Sequence, residues 1–209
     1  MEESSQLQTL GIEVPEKNLD WKKLKNINAD IYAWISIPGT DIDYPILQHP
    51  TDDTYYLNYN MNGTRGYPGC IYTELANSKD FTDFDTVLYG HNMRNNSMFA
   101  MLHKYEEQEF FENHPYVYIY TKDQVLVYEI FAAYRSDDAH ILHTNDFSTD
   151  EGRLNYLETI VKYTDASAQV RNPVQLSVDS HLLTLSTCVS RHADQRFLVQ
   201  AVLLNEEDL

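Results

Sequence analysis

The segment HLLTLSTCVSRHADQRFLVQAVLL, residues 181–204, contains two runs that alternate as β-strands do. The first run ends at Cys188 and the second begins at Arg196, and the mostly polar residues 189–195 between them predict a loop that joins antiparallel neighbours. One face of the first run carries Leu183, Leu185 and Thr187, and the other carries Leu182, Thr184, Ser186 and Cys188. The pattern therefore predicts a thiol and a guanidinium close together at adjacent strand ends.

The predicted proximity of Cys188 and Arg196 has a chemical interpretation. A cysteine acts as a nucleophile only as the thiolate, and a fixed cation nearby favours either the thiolate or a developing oxyanion. The alternative interpretation is a hairpin at the edge of a sheet that carries an ordinary buried cysteine and a surface arginine. This segment alone leaves both interpretations open.

Composition excludes several classes of partner. The 209 residues include 32 acidic and 15 basic side chains, a formal net charge of −17. The chain therefore lacks the basic footprint needed to bind nucleic acid or to contact an anionic membrane directly. No apolar run approaches the roughly 18–20 residues that span a bilayer, so the chain as written is expected to be soluble. Any membrane contact is expected to need an anchor absent from this sequence.

The two cysteines, Cys70 and Cys188, permit at most one disulfide. Neither has a second cysteine or a histidine at ligand spacing, and no EF-hand loop is present. We expect both thiols to be free, with Cys70 as a small buried strand residue. We expect no cofactor and no metal requirement.

Alternating segments along the chain predict about eight strands. They are expected at residues 31–37, 41–48, 70–73, 85–90, 116–121 and 124–134 and in the two runs of the C-terminal segment. Helices are expected at 18–26, in a turn at 53–59, from Ser97 onward, and at 146–163, the last with Leu154, Leu157, Ile160 and Val161 on its apolar face and Ser148 or Thr149 as its cap. This is a mainly β fold: a closed or nearly closed eight-stranded β-barrel with N-terminal helices and a helix inserted before the last two strands. The expected boundaries are a tail at 1–17 and a single domain at 18–209.

Eight histidines are candidates for proton transfer. His91 follows the strand DTVLYG, at a position where side chains leave the packed sheet and become accessible. His192 is the main rival because it lies four residues after Cys188, within the predicted loop. Spacing favours His91, since loop histidines are usually solvated.

These residues carry a resemblance to a known family. TLSTC at 184–188, the downstream Arg196 and LYGHNM at 88–93 resemble the active-site segments of the sortases. More narrowly, the chain is similar to class B sortases through NADIYAWISIPGTDIDYPILQ at 28–48, YYLNYN at 55–60, HNMRNNSMF at 91–99 and the helix-bearing insertion before the last two strands.

The resemblance implies a cysteine transpeptidase of the Gram-positive cell surface, anchored at the extracellular face of the membrane. It implies Cys188 as the nucleophile, His91 as the catalytic histidine and Arg196 as the arginine, with Arg191 as the other arginine of the loop. Such enzymes cleave a proline-containing sorting signal after threonine and transfer the protein to a peptidoglycan amine.

Weaker candidates for binding the substrate peptide are Asn92, Thr184, Ser186, Tyr163 and Ser167. For Thr184 and Ser186 the alternative is an ordinary strand hydroxyl, and for Asn92 it is a cap of the next turn. Two other functions remain open at this point: a cysteine protease that hydrolyses the same type of peptide, and a noncatalytic peptide-binding barrel in which Cys188 is structural.

Overall fold

The computed structural model describes residues 5–161, 168–171 and 175–209. Its strands are β1 Ile31–Ser36, β2 Asp43–Leu47, β3 Ile71–Tyr72, β4 Asp85–Tyr89, β5 Tyr116–Tyr120, β6 Val125–Asp137, β7 Gln169–Val170, β8 Leu182–Val189 and β9 His192–Leu203. Its helices are α1 Ser5–Leu10, α2 Trp21–Ile27, α3 Tyr55–Asn58, α4 Gln108–Asn113, α5 Ile141–Thr144 and α6 Asp150–Val161, with short 3₁₀ helices at Ala100–Glu106 and Glu206–Asp208. None of the described helices has the length and apolar character needed to cross a bilayer.

The strands form one sheet in the order β5-β1-β2-β3-β4-β8-β9-β6, and pairing of β5 with β6 closes it into an eight-stranded barrel. The short strand β7 extends the sheet beyond β6. Within the barrel the pairs β2–β3 and β4–β8 are parallel, and the other pairs are antiparallel. The predicted closed, mainly β architecture with inserted helices is confirmed.

Strand β8 is buried on both of its faces. Leu183 and Leu185 point into the barrel and belong to the main core with Phe197 and Val199 of β9. On the opposite face Leu182 packs in a second apolar cluster beneath α6. Because β8 lies between β4 and β9, the alternative of a hairpin at a sheet edge is wrong.

Helix α6 covers the outer face of β8 and β9 with a different set of residues from the predicted one. Tyr156, Leu157 and Ile160 are buried, as expected for neighbours on one face of a helix. Leu154, by contrast, is 50% exposed, so its predicted place in the apolar face is wrong. The Thr149 hydroxyl accepts a hydrogen bond from the Gly152 amide at 3.1 Å, which makes Thr149 the capping residue of the two that were considered.

The N-terminal residues pack against the outside of the barrel. Leu7 of α1 and Ile12 are buried in a cluster with Tyr118 and Val127, although α1 was not predicted because its sequence is weakly patterned. Helix α2 begins at Trp21 rather than at residue 18, because the Asp20 carboxylate accepts the Lys23 amide at 2.9 Å and caps the helix.

We expect Leu157→Ala to lower the free energy of unfolding by about 2–4 kcal/mol, because Leu157 is 5% exposed and its removal leaves a cavity between α6 and the barrel. Leu154→Ala, the same change on the exposed side of the same helix, should cost no more than about 0.5 kcal/mol. Urea denaturation of both variants measures the difference. Equal losses would contradict the packing of α6 described above.

Candidate active site

Strands β8 and β9 place Cys188 directly opposite Arg196. The chain reverses at residues 190–191, where Arg191 adopts a positive φ of 69°, and Val189 already pairs with His192. Residues 193–195 bulge between that pair and the pair Cys188–Arg196, so most of the predicted loop is strand instead. Polar side chains do not prevent backbone pairing when they face solvent, which is why polarity alone overestimated the loop.

Strand β4 brings His91 to the same end of the barrel. It runs parallel to β8, with Tyr89 opposite Ser186, and the Gly90 amide continues the pairing by donating to the Ser186 carbonyl at 3.1 Å. His91 is therefore the second residue beyond the last pair, as Cys188 is on β8. Because β4 and β8 are adjacent and parallel, His91 and Cys188 lie side by side.

A cavity of about 260 Å³ joins these groups. Its lining includes His91, Ser186, Cys188 and Arg196, so the structure brings four of the predicted site residues together. Apolar and aromatic side chains form much of the remaining wall: Leu57, Tyr72, Tyr89, Ile141 and Leu198. Carboxylates at Glu74, Asp137 and Asp138 make the same wall acidic.

Among the histidines, the cavity favours His91 over His192. His192 is exposed at the start of β9 and does not line the cavity. The His91 Nε2 atom lies 2.8 Å from the Leu57 carbonyl oxygen. Because a carbonyl only accepts, Nε2 carries a hydrogen in this arrangement and Nδ1 is the nitrogen that remains free to exchange a proton. The Tyr67 ring lies 4.9 Å from the imidazole, centroid to centroid.

The Arg196 guanidinium is held by the bulge that precedes it in β9. Its Nη1 atom donates to the carbonyl oxygens of Ala193 and Gln195, at 3.0 Å each. Nε and Nη2 have no hydrogen-bond partner in the part of the chain that the structure describes. A fixed cation with donors left over is suited to binding an anion or an oxyanion.

Asn92 contacts the backbone of the proposed nucleophile. Its amide Nδ2 donates to the Cys188 carbonyl at 2.8 Å and lies 3.1 Å from His103 Nε2. Sequence had suggested either a peptide contact or a turn cap. The structure instead shows that Asn92 connects the segment after β4 to the end of β8 through this hydrogen bond.

His103 lies beside Asn92, in the segment for which the sequence predicted only a helix from Ser97 onward. His103 Nδ1 contacts the Glu106 carboxylate at 3.2 Å, and Arg135 Nη2 donates to the same oxygen at 3.0 Å. The carboxylate accepts, so Nδ1 carries a hydrogen, and Nε2 lies 3.1 Å from Asn92 Nδ2 and 3.2 Å from the Cys188 carbonyl oxygen. The spacing of His103 and Glu106, three residues apart in one helix, was the available signal.

Thr184 is fully buried, at 0% exposure, and its hydroxyl donates to both oxygens of Asp85, at 2.9 and 3.0 Å. Tyr156 of α6 donates to the same carboxyl at 3.1 Å. The structure thus contradicts the predicted peptide contact of Thr184, because its face of β8 is covered by α6 at that depth. Ser186, two residues closer to the barrel end, does line the cavity. Tyr163 and Ser167 lie outside the described residues.

Both cysteines are free, but their surroundings differ. Cys188 is exposed at the cavity, whereas Cys70 is buried beneath Tyr56 and Tyr72. Burial raises the pKa of the Cys70 thiol to about 12. Of the two thiols, only Cys188 is placed to react.

Comparisons with known proteins agree with this geometry. A family model described as the sortase domain matches residues 35–204. Sortase B of Listeria monocytogenes is 32% identical over 190 residues, which cover 88% of this chain and 74% of that protein. The crystal structure of Clostridium perfringens sortase B has a TM-score of 0.78 and 32% identity, covering 87% of this chain and 98% of that one. The Staphylococcus aureus sortase B–substrate complex has a TM-score of 0.77 and 28% identity, covering 89% and 85%.

The family model and the similar proteins are all sortases, and the chain belongs to the sortase family. Within that family its relatives are class B, and the protein is a class B sortase, a cysteine transpeptidase. Neither the cysteine protease nor the noncatalytic barrel is favoured by any of these comparisons.

We expect a thiol-directed reagent at neutral pH to add one label per chain, since Cys188 is exposed and the Cys70 thiol is buried with a raised pKa. Intact-mass spectrometry of the native protein measures the number of labels. Cys188→Ala should take none and Cys70→Ala should still take one. Rapid labelling of Cys70 in the folded protein would contradict the assignment.

The Asp85 carboxyl is buried, and burial raises its pKa to about 7 despite the hydrogen bonds from Thr184 and Tyr156. Below about pH 4 the carboxyl is protonated in both the folded and the unfolded state and contributes nothing. Between pH 4 and 7 the unfolded chain ionises first, so the folded state binds more protons and stability falls as pH rises. Above pH 7 the loss is complete.

We therefore expect the unfolding free energy of the wild type, minus that of Asp85→Asn, to fall by on the order of 4 kcal/mol between pH 4 and 8. The subtraction removes the titrations that the two proteins share. Urea denaturation across this pH range gives the profile. A flat difference would show that the Asp85 carboxyl is not shifted upward.

Proposed function

We propose that Cys188, His91 and Arg196 carry out the transpeptidation, cleaving a sorting-signal peptide and transferring the new carboxyl end to an amine. The observation that supports this most directly is their convergence on one cavity, with Cys188 opposite Arg196 and His91 at the end of the adjacent strand. Cys188 and Arg196 pair with each other across β8 and β9, and His91 directly follows the end of β4, which favours fixed relative positions.

In the first step the Cys188 thiolate attacks the carbonyl carbon of the substrate threonine. A carbon–sulfur bond forms and the carbonyl oxygen becomes an oxyanion. The free N–H groups of Arg196 are the proposed donors to that oxyanion, and one such donor is worth roughly 3 kcal/mol of transition-state stabilisation. When the carbon–nitrogen bond breaks, His91 as imidazolium gives its proton to the departing amine.

In the second step an acceptor amine attacks the thioacyl carbon. The now neutral His91 removes the proton of the incoming amine, the carbon–sulfur bond breaks and the Cys188 thiolate is restored. Water competes for the same intermediate. Transfer prevails when the amine is held in line with the thioester and water is not.

The cavity wall supports a peptide substrate of moderate polarity. A relative, Staphylococcus aureus sortase B, has been solved as a substrate complex, and by analogy the sorting signal here lies along this wall. Burial raises the pKa of Tyr72 and Tyr89, so both phenols stay protonated and can donate hydrogen bonds to peptide carbonyls. Leu57 and Ile141 provide contact for a proline or an aliphatic side chain. Ser186 is the remaining predicted peptide contact inside the cavity.

The acceptor and the location belong to the same proposal. A transpeptidase that anchors surface proteins acts at the extracellular face of the membrane, with a peptidoglycan amine as the acceptor. The acidic wall formed by Glu74, Asp137 and Asp138 favours the approach of a cationic amine over that of an anion.

We expect Cys188→Ala to abolish turnover of a sorting-type peptide, and Arg196→Ala to reduce kcat by about 10²–10³, the usual cost of losing one oxyanion donor. Arg191→Ala is the matched control, because Arg191 lies on the exposed turn and does not line the cavity. Mass spectrometry of the products, with and without an added amine, measures both cleavage and transfer.

The amine adduct must be the main product when amine is present, and hydrolysis alone would indicate a protease. If Arg196→Ala kept its activity while Arg191→Ala lost it, the assignment of the arginine would be reversed. Unchanged turnover in His91→Ala would remove His91 from the proton transfers.

A further inference from the structure

Three potential metal ligands converge beside the catalytic cavity. Glu74 lies shortly after β3, His140 immediately precedes α5 and His143 is within α5. One carboxylate oxygen and one nitrogen from each imidazole all lie within 4.8 Å of one another. The cluster therefore joins two loops that are far apart in sequence.

The cluster is compact and partly shielded from water. Glu74 is 9% exposed, and its Oε2 atom lies 2.8 Å from His140 Nε2. The rings of His140 and His143 stack at 3.8 Å between centroids. His140 Nδ1 is buried and has no hydrogen-bond partner among the described residues. A buried polar atom without a partner is rare enough to require an explanation such as an ion.

The three side chains favour a transition-metal ion over Mg²⁺ or Ca²⁺. Two imidazoles and one carboxylate are a known zinc donor set, which leaves a position open for water or another ligand. Hard cations such as Mg²⁺ and Ca²⁺ prefer sites made of oxygen atoms alone.

We propose that Glu74, His140 and His143 bind a divalent transition-metal ion, with Zn²⁺ as the probe, at the edge of the catalytic cavity. The sequence alone does not indicate the set, because His140 and His143 are three residues apart and Glu74 comes from a distant loop. Binding there does not make the metal a requirement for the reaction.

Occupancy has a consequence for catalysis, and this part rests on the proposed function. Glu74 and His140 line the same cavity as Cys188 and Arg196. A bound dication occupies space at the wall and repels a cationic acceptor amine, so Zn²⁺ should inhibit turnover reversibly, with recovery on adding a chelator. The barrel itself does not need to move.

Isothermal titration calorimetry with Zn²⁺ tests the site without reference to activity. We expect one Zn²⁺ per chain in the wild type, and affinity at least about tenfold weaker in His143→Ala and in Glu74→Gln. His143 is exposed, so its removal should leave the fold intact, and circular dichroism checks this. His192→Ala is the control for an exposed histidine elsewhere, and Mg²⁺ is the control for nonspecific attraction to an acidic protein.

Cys188→Ala separates this site from the catalytic thiol, which is itself a potential zinc ligand. We expect Cys188→Ala to bind Zn²⁺ as the wild type does, and we expect turnover of His143→Ala to resist Zn²⁺ that inhibits the wild type. Loss of zinc binding in Cys188→Ala, unchanged binding in His143→Ala and Glu74→Gln, or no binding at all would each overturn the proposal. None of these results bears on whether Cys188 is the nucleophile, which the turnover of Cys188→Ala decides.

Discussion

The register of β8 between its two neighbours is the constraint on which the active site depends. Parallel pairing with β4 aligns Tyr89 with Ser186, and antiparallel pairing with β9 aligns Cys188 with Arg196. A slip of one residue would turn the thiol to the opposite face of the sheet. Core packing on one face and α6 on the other make such a slip costly, since every buried leucine of β8 would change sides with the thiol. The packing of the barrel thus sets the geometry of the chemistry.

Much of this arrangement could be read from the sequence, because alternation reports which face a residue occupies. The mainly β architecture and the proximity of Cys188 and Arg196 follow from where the predicted strands end, whereas the place of His91 beside them was implied by the resemblance to the sortases. Alternation does not show how far along the strand a residue lies from the cavity. Thr184 shares a face with Ser186 and Cys188, yet α6 covers Thr184 and its hydroxyl binds Asp85, whereas Ser186 reaches the cavity. The distance of a β8 residue from the open end of the barrel depends on the tertiary structure, and so the residue type alone could not predict it.

Contacts between distant segments account for the other differences. Asn92, His103 and the Cys188 carbonyl are brought together by the fold from three separate elements, and no local pattern indicates that meeting. Helix α1 was missed for a related reason: its few apolar side chains gain stability only from the barrel surface they cover. The loop at 189–195 was overestimated because polarity distinguishes exposed from buried residues and does not distinguish loop from solvent-facing strand.

The two kinds of structure around the cavity have different tasks. Cys188 and Arg196 pair with each other across β8 and β9, and Arg196 also pairs with Ser136 of β6. This pairing limits their motion, and reaction geometry tolerates little displacement. Glu74, His140 and Ile141 belong to connections between strands, which can vary without disturbing the barrel. The proposed catalytic groups therefore lie on or directly after paired strands, whereas loops form much of the remaining cavity wall. Because those loops contribute the carboxylate of Glu74 and the imidazole of His140 to one cavity wall, the proposed metal ion and the proposed acceptor amine would compete for the same surface.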